Sequence, residues 1–240
     1  MLTFTPLASS SSGNCYILTD GRTDIMIDCG IPWTKIKQLM SYKTSSLSCI
    51  LCSHAHDDHS HAVKDATKAG IDIYMLSETK EALGVNSHRI HKITLEATFQ
   101  IGTFKIMAFP LQHKGNDGEI CPNCGFLIVN KQGERFVYIT DTCYCKYFFP
   151  SLNILAIECN YQKEILNKNV KEGTVPAAMK NRLLWSHFSL ENVIKLLKAN
   201  DLSRLKSIHL MHLSEGNSNE RKMKRAVQAA TGKPVYICPE

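Results

Sequence analysis

Residues 48–61 read SCILCSHAHDDHSH and join an apolar run to a cluster of side chains that can bind metal. The first part, Ser48–Ser53, is typical of a buried β-strand, and a helical pattern begins at about His59. The cluster therefore lies in a strand-to-helix loop; its members are His54, His56, Asp57, Asp58, His59 and His61. The carboxyl ends of strands commonly carry the functional sites of α/β proteins.

Backbone geometry divides this cluster. His54 and His56 are two residues apart, so in an extended chain they point the same way and can hold one ion. Asp58 and His59 follow where the chain turns into the helix, and they can reach a second ion. We expect Asp57 to be exposed or supporting, together with His61 inside the helix. The stretch alone leaves open a solvated loop or a His-rich tract that only scavenges metal.

Three later metal-capable side chains, His113, Asp141 and His212, each end or closely follow a predicted strand. Any one of them alone would more often be structural. Together with the loop at residues 54–59 they make four such positions, which the fold can gather on one rim. The sequence therefore predicts a metal centre.

The rest of the chain predicts one α/β domain over residues 1–240, with helices outside the strands. No apolar run reaches the roughly 18–20 residues that span a bilayer. The first 20 residues lack the pattern of a secretory signal, so we expect a cytoplasmic protein with reduced thiols. The net charge of +6 is a mild indication of anionic partners.

Two cysteine pairs leave an alternative open. Cys121 and Cys124 form CPNC, and Cys143 and Cys145 form CYC, which together would make a four-thiolate zinc site. Because the second pair lacks the usual spacing, unmetallated thiols are the favoured interpretation.

Several motifs carry a family resemblance. SHAHDDH, His113, TDT at Thr140–Thr142 and HLS at His212–Ser214 resemble the metallo-β-lactamase-fold hydrolases. Asp28 in MIDCG matches an aspartate that supports the site loop in that family. Further motifs resemble the YycJ-like (WalJ) subgroup most closely: SSSSGNC at Ser9–Cys15, ECN at Glu158–Asn160, SHFS at Ser186–Ser189 and HLSEGN at His212–Asn217.

The resemblance, which covers nearly the whole chain, implies a four-layer αββα metallo-β-lactamase sandwich with two divalent ions. Zinc is the expected metal, and manganese is the alternative. By this resemblance the first ion is held by His54, His56 and His113, and the second by Asp58, His59 and His212. Asp141 would bridge the two ions, which share a hydroxide as the nucleophile.

Glu158 and His187 resemble a pair in the tRNase Z-like branch, where the glutamate orients a histidine that protonates the leaving group. With Asp58 they make up the expected catalytic residues. The alternative is a surface Glu158 and a His187 that caps a helix. Substrate contacts are expected from Lys114, Asn160, Ser214 and Asn217.

These features predict a dinuclear metal-dependent phosphodiesterase, most specifically a DNA exonuclease-like nuclease. The alternative is hydrolysis of a cyclic nucleotide or another small phosphodiester, because no Gly/Pro-rich arm for a large nucleic acid is evident. A non-catalytic metal-binding protein is the third hypothesis. The expected partner is a nucleic acid or nucleotide phosphodiester and not a membrane, and a homodimer is left open. The basic stretch Gln162–Arg182 either lines a groove for phosphates or is a flexible exposed connection.

Overall fold

The computed structural model describes residues 1–115 and 118–239, which fall into two compact units. Unit 1 comprises Met1–Pro110, Pro122–Glu134 and Pro239, and unit 2 comprises Leu111–Cys121 and Arg135–Cys238. Strands and helices occur in both units, so the predicted α/β class is confirmed. The single domain over residues 1–240 stays a prediction.

Unit 1 contains a six-stranded sheet in the order β1-β2-β3-β4-β5-β6. Its strands are β1 Thr3–Ser10, β2 Gly13–Thr19, β3 Asp24–Cys29, β4 Leu47–Leu51, β5 Ile73–Met75 and β6 Ile90–Lys92. The first three strands are antiparallel, whereas β3 to β6 run parallel. Three further strands, β7 Thr98–Ile101, β8 Phe104–Leu111 and β9 Asn123–Val129, lie side by side in the order β9-β8-β7.

Helices cover one face of the six-stranded sheet. They are α1 Trp33–Leu39, α2 Asp57–Ser60, α3 Val63–Lys68 and α4 Ser77–Ala82. Trp33 and Ile36 of α1 share a buried apolar cluster with Val63 of α3, Ile50 of β4 and Ile73 of β5. Because parallel strands are buried on both faces, they need the near-continuous apolar sequence seen in β4. This packing fixes the ends of β3 and β4, from which the candidate site begins.

The helical pattern that the sequence predicts from about His59 is not one continuous helix in the structure, which corrects that prediction. Helix α2 ends at Ser60, and α3 begins at Val63. Between them the backbone N–H of Ala62 donates a hydrogen bond to the carbonyl of Cys29 at 2.9 Å. A long-range bond to β3 thus replaces one that would continue the helix, and local periodicity does not reveal such a bond.

Unit 2 contains four parallel strands in the order β13-β12-β11-β10. The strands are β10 Arg135–Ile139, β11 Ile154–Glu158, β12 Ser207–Met211 and β13 Val235–Ile237. The helices are α5 Lys163–Lys171, α6 Ala177–Ser186, α7 Leu190–Ala199 and α8 Glu220–Thr231. Ile139 of β10 pairs with Ile157 of β11, which in turn pairs with Leu210 of β12. The carboxyl ends of these three parallel strands therefore lie at the same edge of the sheet.

Helices α5 and α6 occupy most of the basic stretch Gln162–Arg182, which is therefore not a flexible connection. Leu166 of α5 and Leu183 of α6 pack with Tyr161 in a small buried cluster. This apolar contact holds α5 and α6 against Tyr161. None of the helices in the described part of the chain has both the length and the apolar character needed to cross a bilayer.

Folding stability should depend on His209 in β12. Its ring stacks on Tyr236 with centroids 5.2 Å apart, and burial lowers the pKa of His209 from 6.5 to about 4. Below about pH 6.5 His209 is protonated in the unfolded chain but still neutral in the folded chain. The free energy of unfolding therefore falls as the pH drops towards about 4. In His209→Phe, which keeps a ring on Tyr236 but does not titrate, this fall should be smaller. Urea unfolding over that pH range measures it, and parallel pH profiles for the two proteins would contradict it.

Candidate functional site

In unit 1 the loop after β4 brings two histidine rings together edge to face, with an angle of 78° between the ring planes. His54 Nε2 lies 3.1 Å from His56 Nδ1, and the ring centroids are 4.8 Å apart. His54 is fully buried, and His56 is partly exposed. Two imidazole nitrogens that converge in this way suit a shared divalent ion such as zinc or manganese.

Asp58 and His59, which lie in α2, stand next to this pair. His59 Nε2 is 3.4 Å from Asp58 Oδ2, and the rings of His54 and His59 are 4.3 Å apart. The structure therefore brings together the four loop residues that sequence spacing divides between two ions. By contrast, Asp57 and His61 pair with each other at 3.0 Å on the surface, as expected for residues outside the ligand set.

Asn14 is a site residue that sequence reasoning did not single out. Its Nδ2 lies 3.1 Å from His59 Nε2 and 3.3 Å from Asp58 Oδ2, and it also donates to the Asp58 carbonyl at 3.2 Å. Tyr16 Oη donates to Asn14 Oδ1 at 2.9 Å and so orients the amide. The signal was present in the GNC motif at residues 13–15, but the sequence does not say which side chain Asn14 contacts.

Asp28 supports the rings of His59 and His54, the first by direct contact and the second through Ser53. It is fully buried, and its carboxylate accepts hydrogen bonds from the Ser53 backbone N–H at 2.7 Å and from Ser53 Oγ at 2.9 Å. The same carboxylate lies 2.7 Å from His59 Nδ1, while Ser53 Oγ lies 3.0 Å from His54 Nδ1. Partners at both Nδ1 atoms fix the rings and leave their Nε2 atoms to face the site, as is usual around metal-binding histidines.

A glycine permits α2 to approach β3. A Cβ on Gly30 would lie 1.7 Å from the carbonyl oxygen of Asp58, closer than any real contact. The backbone N–H of Gly30 also donates to the Asn14 carbonyl at 2.8 Å. Gly30 therefore sets the position of Asp58 without contacting the site through a side chain.

In unit 2 the remaining predicted residues meet at the shared edge of β10, β11 and β12. Asp141, Glu158, His187 and His212 each offer a ligand atom, and these atoms lie within 4.8 Å of one another. His212 Nδ1 is 3.1 Å from Asp141 Oδ1, and His113 Nε2 is 3.7 Å from Asp141 Oδ2. Asp141 thus stands between two of the predicted ligands.

Glu158 organises this cluster from its centre. It is fully buried, so the alternative of a surface glutamate is wrong. Oε1 lies 2.5 Å from His187 Nδ1 and 3.0 Å from His212 Nδ1, and Oε2 accepts from the backbone N–H groups of Thr142 and Phe188 at 3.3 and 3.2 Å. Burial raises the pKa of Glu158, but the charge and hydrogen bond of His187 and a hydrogen bond from His212 outweigh this effect. The net pKa is lowered, so the carboxylate remains ionised near neutral pH.

Three site residues have left-handed backbones although they are not glycine. Asp28, Asp141 and His212 have φ angles of 55°, 47° and 52°. A non-glycine residue in this region costs about 1–2 kcal/mol. Asp28 is the penultimate residue of β3, whereas Asp141 and His212 closely follow β10 and β12, so the strained backbone redirects each side chain near the end of a strand.

The predicted substrate contacts have identifiable places in unit 2. Asn160 is buried and donates from Nδ2 to the carbonyl of His212 at 2.9 Å. Asn217 is also buried, and its Nδ2 lies 3.3 Å from Ser214 Oγ. Lys114 is exposed, and its Nζ lies 5.5 Å from the centre of the Trp185 ring. Asn160 therefore supports the turn at His212, and substrate binding by these four residues stays a prediction.

All ten cysteines are free thiols, as predicted. Among residues 1–115 and 118–239, none of the groups of three or more metal-capable side chains includes a cysteine. Burial raises the pKa of Cys145 to about 11 and so favours its neutral thiol over the thiolate that binds zinc. The four-thiolate zinc alternative therefore has no support.

Comparison with known proteins agrees with this geometry. Residues 23–210 match the family model described as "Beta-lactamase superfamily domain". The chain is 30% identical over 229 residues to the exodeoxyribonuclease WalJ of Streptococcus pneumoniae serotype 2, covering 88% of this chain and 81% of that protein. It is 23% identical to the exodeoxyribonuclease YycJ of Bacillus anthracis, covering 94% of this chain and 88% of that protein.

A solved structure is similar over nearly the full length. The metallo-beta-lactamase fold protein YhfI from Bacillus subtilis has a TM-score of 0.75 at 14% identity, covering 99% of this chain and 96% of that one. The predicted metallo-β-lactamase fold and the resemblance to the WalJ and YycJ proteins are thus confirmed.

Loss of the Asp28 charge should weaken metal binding without removing a ligand. In Asp28→Asn the amide cannot accept from both Ser53 and His59 as the carboxylate does, so the rings lose their fixed orientation. We expect zinc affinity to fall about 10- to 100-fold. A competition titration with a chromophoric chelator measures this affinity. Asp57→Asn, an exposed carboxylate in the same loop, is the matched control, and equal affinities in the two variants would contradict the supporting role.

Proposed function

We propose a function from one established premise, that this chain belongs to the beta-lactamase superfamily and to the family of the exodeoxyribonuclease WalJ. The proposed function is metal-dependent hydrolysis of phosphodiester bonds, specifically in DNA and from strand ends. The observation that carries it is the Glu158–His187 pair in unit 2, which shares its cluster with Asp141 and His212. A phosphodiester leaving group is an alkoxide that needs a proton, and a histidine held by a buried carboxylate can supply it.

The proposal includes two divalent ions, with zinc preferred and manganese as the alternative. The family resemblance assigns the first ion to His54, His56 and His113 and the second to Asp58, His59 and His212, with Asp141 shared. Support comes from each unit by itself, since each brings its own imidazole and carboxylate ligands together. When bound, such ions supply Lewis acidity, which polarises a phosphoryl group and makes water a better nucleophile near neutral pH.

His187 is the proposed general acid. Glu158 occupies its Nδ1, so Nε2 is the nitrogen that gives a proton to the departing oxygen of the nucleotide. The buried carboxylate remains ionised and stabilises the protonated imidazole before the transfer. The Phe188 N–H and Thr142 N–H hold Glu158 in turn, which fixes the direction of the donor.

Asp58 has two roles in the proposal. As a ligand it would hold the second ion, and its carboxylate would take up the proton that the attacking water loses. Asn14 and the position of Gly30 restrict its orientation. Asn14 is therefore a positioning residue.

The substrate test compares polymer and small phosphodiesters. Metal-loaded protein should release mononucleotides from end-labelled linear DNA, leave covalently closed circular DNA intact, and lose this activity on chelation. Gel and thin-layer separation of the products measures it. Faster hydrolysis of cyclic mononucleotides than of linear DNA would favour the small-substrate alternative. Absence of hydrolysis with either class would favour a metal-binding protein without catalysis.

Mutation of the proton donor should affect substrates according to their leaving groups. His187→Ala should lower turnover of linear DNA by about 10²- to 10⁴-fold. It should lower turnover of bis(p-nitrophenyl) phosphate less, because nitrophenolate is a weaker base and needs less protonation. Bound metal, measured by atomic absorption, should be unchanged.

The matched control for this variant is His61→Ala, an exposed histidine that pairs with Asp57. Equal losses on both substrates, or no loss at all, would exclude the proton-donor role of His187.

A further inference from the structure

An open groove of about 610 Å³ lies in unit 2 and is rich in exposed aromatic side chains. One wall is the loop Cys143–Phe148, and the other is formed by the end of α6 and by α7. Tyr144, Phe148 and Trp185 line it and are 64%, 69% and 64% exposed. Three large aromatic side chains exposed within one groove are unusual on a protein surface and indicate a binding site.

The groove is continuous with the residues that hold the proposed proton donor. Thr142, just before the loop, donates its N–H to Glu158 Oε2 at 3.3 Å, and Phe188, just after α6, donates to the same atom at 3.2 Å. Asn192 Nδ2 also donates to the Cys143 carbonyl at 3.2 Å and links α7 to the loop. A molecule in the groove therefore lies between two walls that both attach to Glu158.

The charge of the groove complements a nucleic-acid backbone. Lys146 and Lys195 are exposed and line it, and the described lining residues include no aspartate or glutamate. Lys114 does not line the groove but lies beside Trp185, with Nζ 5.5 Å from the centre of the indole ring. Aromatic faces interleaved with lysines match the chemistry by which proteins bind single strands, through base stacking and phosphate neutralisation.

We propose that this groove binds a single-stranded segment of DNA, with bases stacked on Tyr144, Phe148 and Trp185 and phosphates neutralised by Lys146 and Lys195. The inference rests on the proposed nuclease function and adds the strand state of the substrate. Bases inside a duplex already have both faces stacked on neighbours, so an aromatic platform selects unpaired bases. The groove thereby holds an unpaired strand next to the proposed site of cleavage.

Tryptophan fluorescence tests the stacking directly. The chain has two tryptophans, and Trp33 lies in the core of unit 1 whereas Trp185 is exposed. We expect a phosphorothioate oligothymidylate, which resists cleavage, to quench the emission of zinc-loaded protein and to protect it from acrylamide. Trp185→Leu should abolish both effects. An abasic strand of the same length and charge should bind more weakly and quench little.

Affinity measured by fluorescence anisotropy provides the second readout. Trp185→Leu and Tyr144→Leu should each weaken binding of the thymidylate strand by about 5- to 100-fold. Tyr236→Leu is the matched control, since Tyr236 is 51% exposed in unit 2 and lies near Arg221 and Lys224 but outside the groove. Lys195→Gln should lower the salt dependence of binding without abolishing the quench.

Three results would overturn the inference. The protein would bind the abasic strand as tightly as the thymidylate strand, or Tyr236→Leu would weaken binding as much as Trp185→Leu does. The third result is tighter binding of a blunt duplex than of the single strand. In the absence of DNA, Trp185 could instead become better protected from acrylamide as the protein concentration rises. That result would assign the groove to a second copy of this chain. Failure of the proposed function has a different signature, because metal-loaded wild-type protein would then hydrolyse no bis(p-nitrophenyl) phosphate.

Discussion

The buried carboxylate of Glu158 is the constraint on which the arrangement of unit 2 depends. A fully buried charge without partners costs several kcal/mol, so the chain must supply donors from every direction. It does so with two imidazoles and two backbone N–H groups, and these belong to the elements that carry the candidate site. In unit 1 the buried carboxylate of Asp28 likewise has polar partners, which are Ser53 and His59. The need to satisfy two buried anions therefore positions most of the site histidines.

The sequence predicts the strand-end positions well because that signal is local. An apolar run followed by H-x-H-x-D-H is visible in the order of the residues, and the positions of Asp141 and His212 after their strands follow from the same pattern. The contacts of Asn14 with Asp58 and His59 are not predictable, because they depend on the pairing of distant strands and on the absence of a side chain at Gly30. The break between α2 and α3 escapes prediction for the same reason, since its cause is a hydrogen bond from Ala62 to β3.

A second gap concerns the basic stretch after Glu158. Its charges suggest either a phosphate groove or an irregular connection, but Leu166 and Leu183 fold it into two helices against Tyr161. Charge patterns report what faces solvent and say little about what lies beneath. The aromatic groove escapes prediction too, because Tyr144, Phe148 and Trp185 are separated in sequence and become one surface only when the loop and α6 are anchored at Glu158.

The left-handed turns at Asp28, Asp141 and His212 have a consequence for engineering. Glycine adopts this conformation without the steric penalty, but at all three positions this relief of strain is opposed by the loss of the hydrogen bonds that the present side chains make. The same substitutions would delete the side chains on which the site is built. Stability and chemistry are therefore linked at these three positions, and any stabilising effort has to hold them fixed.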